Sequence, residues 1–122
     1  FRTANMPSRP MDRGLKRLVV RGNASAASVT IDVTQRAGAR QATGTFAIEA
    51  PDKTVTIAAT AFGVLQSTGG WSGVTGITGG RAFTAIVDRR DPRAPGVAAV
   101  VVTIEGETPW RGSVPLAAVS TR

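Results

Sequence analysis

Short segments in which apolar and polar residues alternate one by one make up most of this chain, and they limit the folds it can adopt. Because the side chains of a β-strand point alternately to its two faces, a period of two predicts strands that each bury one face. The clearest case is Ala27–Gln35, in which Val29, Ile31 and Val33 share one face and polar residues occupy the other. No stretch shows a helical period over more than two turns.

The segments together predict an all-β fold, an antiparallel β-sandwich or barrel of about seven to nine short strands. Lys53–Gln66 predicts a strand pair or one bent strand, with Gly63 as a candidate β-bulge. Because Val97–Glu105 is apolar on both faces, we expect it to be a central strand. Gly22-Asn23, Pro51-Asp52 and Gly79-Gly80 are the expected turns, and the last pair is typical of a two-residue hairpin. The other expected strands are Leu15–Arg21, Ala27–Gln35, Thr43–Ala50, Trp71–Thr78, Arg81–Asp88, Thr108–Gly112 and Val114–Val119.

Positive charge is concentrated at the N-terminus. Residues 1–22 hold six basic residues and one acidic residue, a net charge of +5, whereas the remaining hundred residues hold nine basic and seven acidic ones, a net charge of +2. We therefore divide the chain into a basic extended N-terminal arm, 1–14, and a single all-β domain, 15–122. A domain of this size buries enough surface to fold without disulfide or metal staples.

Four arginines of the N-terminal region recur every fourth residue, at positions 9, 13, 17 and 21. On a helix they would form one stripe, but Pro10 and Gly14 argue against a helix, so we interpret the spacing as coincidental. Such an arm gains order only by lying against its own domain or a neighbouring subunit. It could also bind the phosphates of a nucleic acid or another anionic polymer in a salt-sensitive way. The candidate interaction residues of this region are Arg2, Arg9, Arg13 and Arg17.

The residue types that are missing exclude several kinds of catalytic site. The chain has no histidine and no cysteine, which removes catalytic triads, histidine acid–base catalysis, disulfides and the usual zinc ligands. The glycines between positions 69 and 80 lie among strand residues and predict turns and bulges rather than a phosphate loop. Asp88 and Asp91 are expected to pair with neighbouring arginines or cap a loop rather than hold calcium. We therefore predict that the chain is not an enzyme and has no cofactor or metal.

Trp71 and Trp110 are the two tryptophans of the chain and the remaining candidate interaction residues. An exposed tryptophan on a β-face can stack on a sugar ring, whereas a buried one packs in the core or at its rim. Packing is the expected role here. The first role makes a carbohydrate-binding module an alternative function.

An ordered series of elements fills Thr54–Ser113, about half of the chain. A strand TVTIAATAFGVLQ is followed by a Gly-rich strand GWSGVTGITGG, a strand ending in Asp, AFTAIVD, a turn RRDPRAPG and a strand ending in Gly, VAAVVVTIEG. This order resembles the post-COAP-type small β domain of bacterial secreted proteins. The resemblance implies an exported accessory domain without catalytic activity. In that family the turn is usually acidic, whereas here it holds Arg89, Arg90 and Arg93, so no ligand site is carried over.

These observations predict a non-catalytic structural or interaction module, exported or on a cell surface, whose arm and edge strands contact neighbouring subunits or a partner. A homo-oligomer or larger assembly is the expected form, as in a surface appendage or a virion component. The arginine-rich, lysine-poor composition is typical of a high-GC bacterial or phage genome. The longest apolar run, Val97–Val102, is too short for a membrane span. The alternatives are a carbohydrate- or other ligand-binding module, and nucleic-acid binding through the arm.

Overall fold

The computed structural model describes residues 15–24, 26–68, 70–90 and 95–121, so the predicted arm, with Arg2, Arg9 and Arg13, lies outside the described residues. Within those ranges the chain forms an all-β sandwich of ten strands in two five-stranded antiparallel sheets, as the alternation predicts. The strands are β1 Lys16–Ala24, β2 Ala27–Gln35, β3 Thr43–Ala50, β4 Lys53–Ile57, β5 Phe62–Ser67, β6 Trp71–Thr78, β7 Arg81–Asp88, β8 Val97–Ile104, β9 Trp110–Pro115 and β10 Val119–Ser120.

Each sheet is essentially one meander of consecutive hairpins. The first sheet has the order β10-β1-β2-β3-β4 and the second has β5-β6-β7-β8-β9. The chain passes from one sheet to the other at residues 58–61 and returns at its end, where a 3-10 turn at Leu116–Ala118 leads into β10 beside β1. Gly79 and Gly80 form the β6–β7 turn with φ of +58° and +78°, the backbone of the predicted two-residue hairpin.

The core lies between the inward faces of the two sheets, and the alternation decides which residues enter it. Val29, Ile31 and Val33 of β2 are buried, as predicted, and so are alternate residues of every long strand. Three phenylalanines join the layers. The ring centroids of Phe46 and Phe83, from opposite sheets, lie 6.4 Å apart, and those of Phe62 and Phe83 lie 6.0 Å apart at 75°.

In the first half of the chain, the structure corrects one predicted turn and confirms the strand pair as the better of two alternatives. Gly22 and Asn23 are paired residues of β1 and not a turn, because the β1–β2 ladder continues to Ala24 and Ala27. Lys53–Gln66 is a pair of strands in different sheets, since the chain crosses the sandwich after Ile57. Ala59 lies in this crossing and is exposed. The β5–β6 register shifts between Phe62 and Leu65, which confirms the bulge predicted near Gly63.

The C-terminal predictions also shift. The sequence predicts two strands in this region, Thr108–Gly112 and Val114–Val119. The structure has one strand across them, β9, which begins at Trp110 and ends at Pro115. Val97–Ile104 lies between β7 and β9, an interior position as predicted, although only its inward residues are fully buried. The outer residues of β8 are half-exposed because no element of the described chain covers the outer face of the second sheet.

Candidate functional site

Of the four candidate arginines, Arg17 is the one that lies within the described residues. It projects from β1 on the outer face of the first sheet, where its Nη2 lies 3.1 Å from Oδ2 of Asp32. Nη2 of Arg21 lies 3.1 Å from the same oxygen. The hydrogen bond from Arg17, reinforced by Arg21, holds the pKa of Asp32 below its usual value. This carboxylate neutralises part of the positive charge at the start of the domain.

The two tryptophans lie on opposite faces of the second sheet and do not share a surface. Trp110 faces inward: its ring lies over Gly112 and packs against the core beside Ala24. Trp71 points outward, because its neighbour Ser72 is fully buried on the inner side of β6. Trp110 therefore has the packing role expected of both residues, and Trp71 is the tryptophan that faces solvent.

A depression of about 160 Å³ lies beside Trp71 on the outer face of the second sheet. The Trp71 ring lies over Gly73, which is buried: a Cβ atom added there would stand 3.0 Å from Cζ3 of Trp71. The ladder places Gln66 of β5 and Ile86 of β7 directly beside this glycine. The lining is uncharged and consists of Val64, Gln66, Trp71, Gly73, Thr75, Thr84 and Ile86.

Trp71 is held by the turn that precedes it. Thr68 N–H donates to the Trp71 carbonyl at 2.8 Å, and Trp71 N–H donates to Thr68 Oγ1 at 3.2 Å. Arg89 ties the turn to the end of β7: its N–H donates to the Gly70 carbonyl and its Nη2 to the Thr68 carbonyl, both at 2.9 Å. Its Nη1 reaches Oγ of the buried Ser72 at 3.4 Å. The backbone around Trp71 is therefore fixed from both sides.

Asp88 lies across the ladder from Trp71. Its Oδ1 lies 3.2 Å from Nε of Arg90 and also accepts the Arg90 backbone N–H at 2.9 Å. These bonds hold the pKa of Asp88 below its usual value. The expected pairing of Asp88 with a neighbouring arginine is confirmed, whereas Asp91 and Arg93 lie outside the described residues.

The edge strand β4 forms a second candidate site. In a hairpin closed by the pair Ala50–Lys53, alternate residues of β4 bond to β3, and Thr54 and Thr56 turn their backbone N–H and C=O groups away from it. No hydrogen bond to these groups is made by any other described residue. A groove of about 380 Å³ runs along this edge, between β4 and the ends of the second sheet at Thr78, Arg81 and Glu107.

The groove is closed at one end by an ion-pair network. Glu107 lies 3.1 Å from Nζ of Lys53 and 3.2 Å from Nη1 of Arg81, so one carboxylate joins β4 of the first sheet to β7 of the second. Lysine on an edge strand commonly protects it from pairing. Here the Lys53 ammonium pairs with Glu107, so it does not protect the outward backbone N–H and C=O groups of Thr54 and Thr56.

The other edges of the sandwich are shorter or already in contact with the chain. At the free side of β5, the Gly63 carbonyl accepts the Ala42 N–H at 2.7 Å and Oε1 of Gln35 accepts the Leu65 N–H at 2.9 Å. β9 lies against β1 and ends at Pro115, which has no N–H to donate. β10 is two residues long. Among the described strands, β4 is the one that offers an unpaired edge beside a groove.

Sequence reasoning missed both of these features. The depression depends on Gly73 lying on the outer face of an interior strand, and its signal in the sequence is a glycine two residues after a tryptophan in WSGVTGIT. The β4 edge depends on the sheet order, which the sequence does not reveal. Within the described ranges, no three acidic side chains lie close enough to hold a metal ion. No helix of that part of the chain is long and apolar enough to cross a membrane.

Comparison of this chain with protein-family models, curated proteins and solved structures gives no match.

Proposed function

We propose that this chain is a non-catalytic structural and interaction module, exported or displayed on a surface, that joins copies of itself through the open edge of β4. The observation that carries the proposal is the backbone of Thr54 and Thr56 beside a groove, whose outward groups bond to no other residue of the described ranges. An exposed edge strand is a template for strand addition, which takes its affinity from main-chain hydrogen bonds. The resemblance to post-COAP-type domains implies the same class of protein, an exported accessory domain.

The β4 edge is self-complementary. Two β4 strands can pair antiparallel about a two-fold axis through Val55, which places Thr54 of one copy opposite Thr56 of the other. Both threonines direct their N–H and C=O groups to the new partner, so the two pairs make about four backbone hydrogen bonds. Lys53 falls opposite Ile57, and no like charges face each other. The two first sheets, of five strands each, become one continuous sheet.

The groove beside β4 leaves room for a strand to approach this edge. Val55 and Ile57 of each copy stay in the core of their own sandwich, where they are 5% and 3% exposed, so the pairing rests on the edge backbone groups. A five-residue strand is only about 17 Å long, so its contact is smaller than the roughly 800 Å² per partner of a standard interface. We therefore expect weak pairing, reinforced in a larger assembly by further contacts such as the basic arm.

Variants that introduce charges at Thr54 and Thr56 test both the association and the register of the two strands. In the proposed dimer, the double variant Thr54→Lys, Thr56→Lys places like charges directly opposite each other in both pairs. The double variant Thr54→Lys, Thr56→Glu places opposite charges in both. Sedimentation velocity over a wide concentration range should show dimers for the wild type, monomers for the first variant and dimers again for the second.

The control places the same two added charges on the same face but away from the edge. Thr43→Lys with Thr45→Lys changes exposed residues of β3, the strand next to β4, and should dimerise like the wild type. Circular dichroism checks that every variant is folded. A wild type that stays monomeric at all concentrations, or two β4 variants that behave alike, would contradict the proposal.

A further inference from the structure

The depression at Gly73 combines the features that a neutral sugar ring requires. It has one aromatic wall, Trp71, and two aliphatic side chains, Val64 and Ile86, which are 44% and 38% exposed. Its polar groups are the Gln66 amide and the Thr75 and Thr84 hydroxyls. We infer that this site binds a single ring of a neutral saccharide, with one face of the ring against the Trp71 indole.

The charge and size of the site select the ligand class. All seven described lining residues are uncharged, which matches a neutral ligand and gives a phosphate, sulfate or carboxylate no charged partner among them. Its volume of about 160 Å³ is well below the roughly 300–1,000 Å³ of sites for drug-sized ligands. The depression opens on a sheet face, so a ring that belongs to a longer chain can enter it while its neighbours remain outside.

The polar groups of the lining match hydroxyl groups specifically. A threonine hydroxyl both donates and accepts a hydrogen bond, and the Gln66 amide supplies two donors and one acceptor. A sugar hydroxyl likewise needs a donor and an acceptor. Gln66 and Ile86 flank Gly73 on either side, and Thr75 lies two residues further along the same strand. A sugar ring in the depression therefore has Trp71 and Ile86 against its C–H groups, and Gln66 and Thr75 at its rim.

The backbone that carries the aromatic wall is ordered before any ligand arrives, and the Trp71 ring itself packs over Gly73. The hydrogen bonds between Thr68 and Trp71, and those from Arg89 to Thr68 and Gly70, hold the backbone at the start of β6. A wall that is already ordered loses little conformational entropy on binding. The site also lies on the outer face of the second sheet, away from β4, so pairing through β4 leaves it open and gives each dimer two such sites.

A titration observed by NMR tests the inference. The probes are neutral oligosaccharides of glucose, xylose and N-acetylglucosamine, with a sulfated oligosaccharide as the charged comparison, all at millimolar concentration. At least one neutral probe should shift the Trp71 indole N–H, the Gln66 side-chain amide and the Thr75 and Thr84 methyl signals. The Trp110 indole N–H lies on the inner face and serves as the reference signal.

Three variants locate the binding. Trp71→Ala should weaken it by at least about tenfold, because it removes the stacking surface. Gly73→Val should abolish it, since the added side chain would collide with the Trp71 ring that lies over this glycine and displace the stacking surface. Thr103→Ala is the matched control, an exposed threonine on β8 of the same sheet, and should bind like the wild type.

Three results would overturn the inference. The first is the absence of any shift at these residues with all neutral probes. The second is binding that Trp71→Ala and Gly73→Val leave unchanged, or that occurs only with the sulfated probe. The third is a shift of the same signals with protein concentration in the absence of sugar, provided that Trp71→Ala removes it. That result would show that this face contacts another protein molecule instead of a sugar. The β4 variants do not alter the site, so failure here is separate from failure of the assembly proposal.

Discussion

The ring of Phe83 covers Gly76, its neighbour across the β6–β7 ladder. A Cβ atom added at Gly76 would stand 2.6 Å from Cε1 and 2.9 Å from Cζ of Phe83, and it would also collide with the Ala61 carbonyl oxygen. On the other side, Gly76 pairs with Phe62 of β5. The missing side chain therefore allows the two phenylalanines to meet edge to face at 6.0 Å.

We predict that Gly76→Ala destabilises the domain by about 1–3 kcal/mol, the usual cost of overpacking a core. Alanine in place of a strand glycine would ordinarily gain roughly 0.5–1 kcal/mol of backbone entropy, but the Ala61 carbonyl belongs to the backbone and cannot move aside cheaply. Urea unfolding measures the change. Thr75→Ala, at the exposed neighbouring position, should change the free energy of unfolding by less than about 0.5 kcal/mol. Equal stabilities for the two variants would contradict this packing role.

The β6–β7 turn can be improved without new contacts. Gly79 has a φ of +58° and nothing lies within 4 Å of where its Cβ would be. Asparagine tolerates this conformation and is favoured at the first position of this turn type. Gly79→Asn should therefore stabilise the domain by about 0.5 kcal/mol, because it restricts the unfolded chain more than the folded one. Gly79→Val, which is strained at positive φ, should be less stable than the wild type in the same thermal unfolding experiment. If Gly79→Val were instead more stable than the wild type, the turn would have to adopt another conformation.

The ion pairs of Asp32 predict a specific loss of stability in acid. The pKa of Asp32 is lowered in the folded state, mainly by the hydrogen bond from Arg17, relative to a usual value of 3.8. The contribution of Asp32 to the free energy of unfolding is therefore fully present above pH 3.8 and is lost as the pH falls through the lowered pKa. Asp32→Asn should unfold more easily than the wild type at neutral pH and approach it in acid. Urea midpoints at a series of pH values measure the difference, and a constant offset down to the lowest pH would contradict the assignment.

Much of the fold follows from local patterns that the sequence displays. Val29, Ile31 and Val33 predict β2 because alternation alone decides which face is buried, and Gly79-Gly80 predicts its turn because positive φ at both residues strongly favours glycine. The sequence predicts a turn at Gly22, but this glycine is required by a contact with a distant part of the chain. It lies in β1, and a Cβ there would stand 3.0 Å from Cβ of Ala118, so this position needs glycine where the C-terminal turn approaches.

The candidate sites depend on relationships between strands, which single-sequence patterns do not specify. Alternation identifies Thr54 and Thr56 as outward residues of a strand, but only the sheet order makes that strand an edge. The register across β5, β6 and β7 likewise decides that Gln66 and Ile86 flank Gly73. Trp71 and Trp110 were indistinguishable in the sequence because a tryptophan at a strand end suits either face.

Arg89 should contribute to the order around Trp71 beyond its charge. Its guanidinium donates to the Thr68 carbonyl and reaches the buried Ser72 hydroxyl, while its backbone N–H, which a glutamine would keep, donates to the Gly70 carbonyl. Arg90 instead pairs with Asp88 at the surface. We expect Arg89→Gln to cost about 1–2 kcal/mol, as for loss of charge-assisted hydrogen bonds to partly buried groups. Arg90→Gln should cost less than about 1 kcal/mol, as for an exposed ion pair.

Hydrogen exchange distinguishes an ordering role for Arg89 from a general loss of stability. In Arg89→Gln, exchange of the Trp71 backbone N–H should accelerate by more than the change in global stability accounts for, because its acceptor, Thr68 Oγ1, belongs to the turn that Arg89 fixes. The N–H groups in the middle of β2 should follow the global change alone. Uniform acceleration at both places would mean that Arg89 supports the sandwich as a whole and leaves the Trp71 wall to the Thr68 hydrogen bonds.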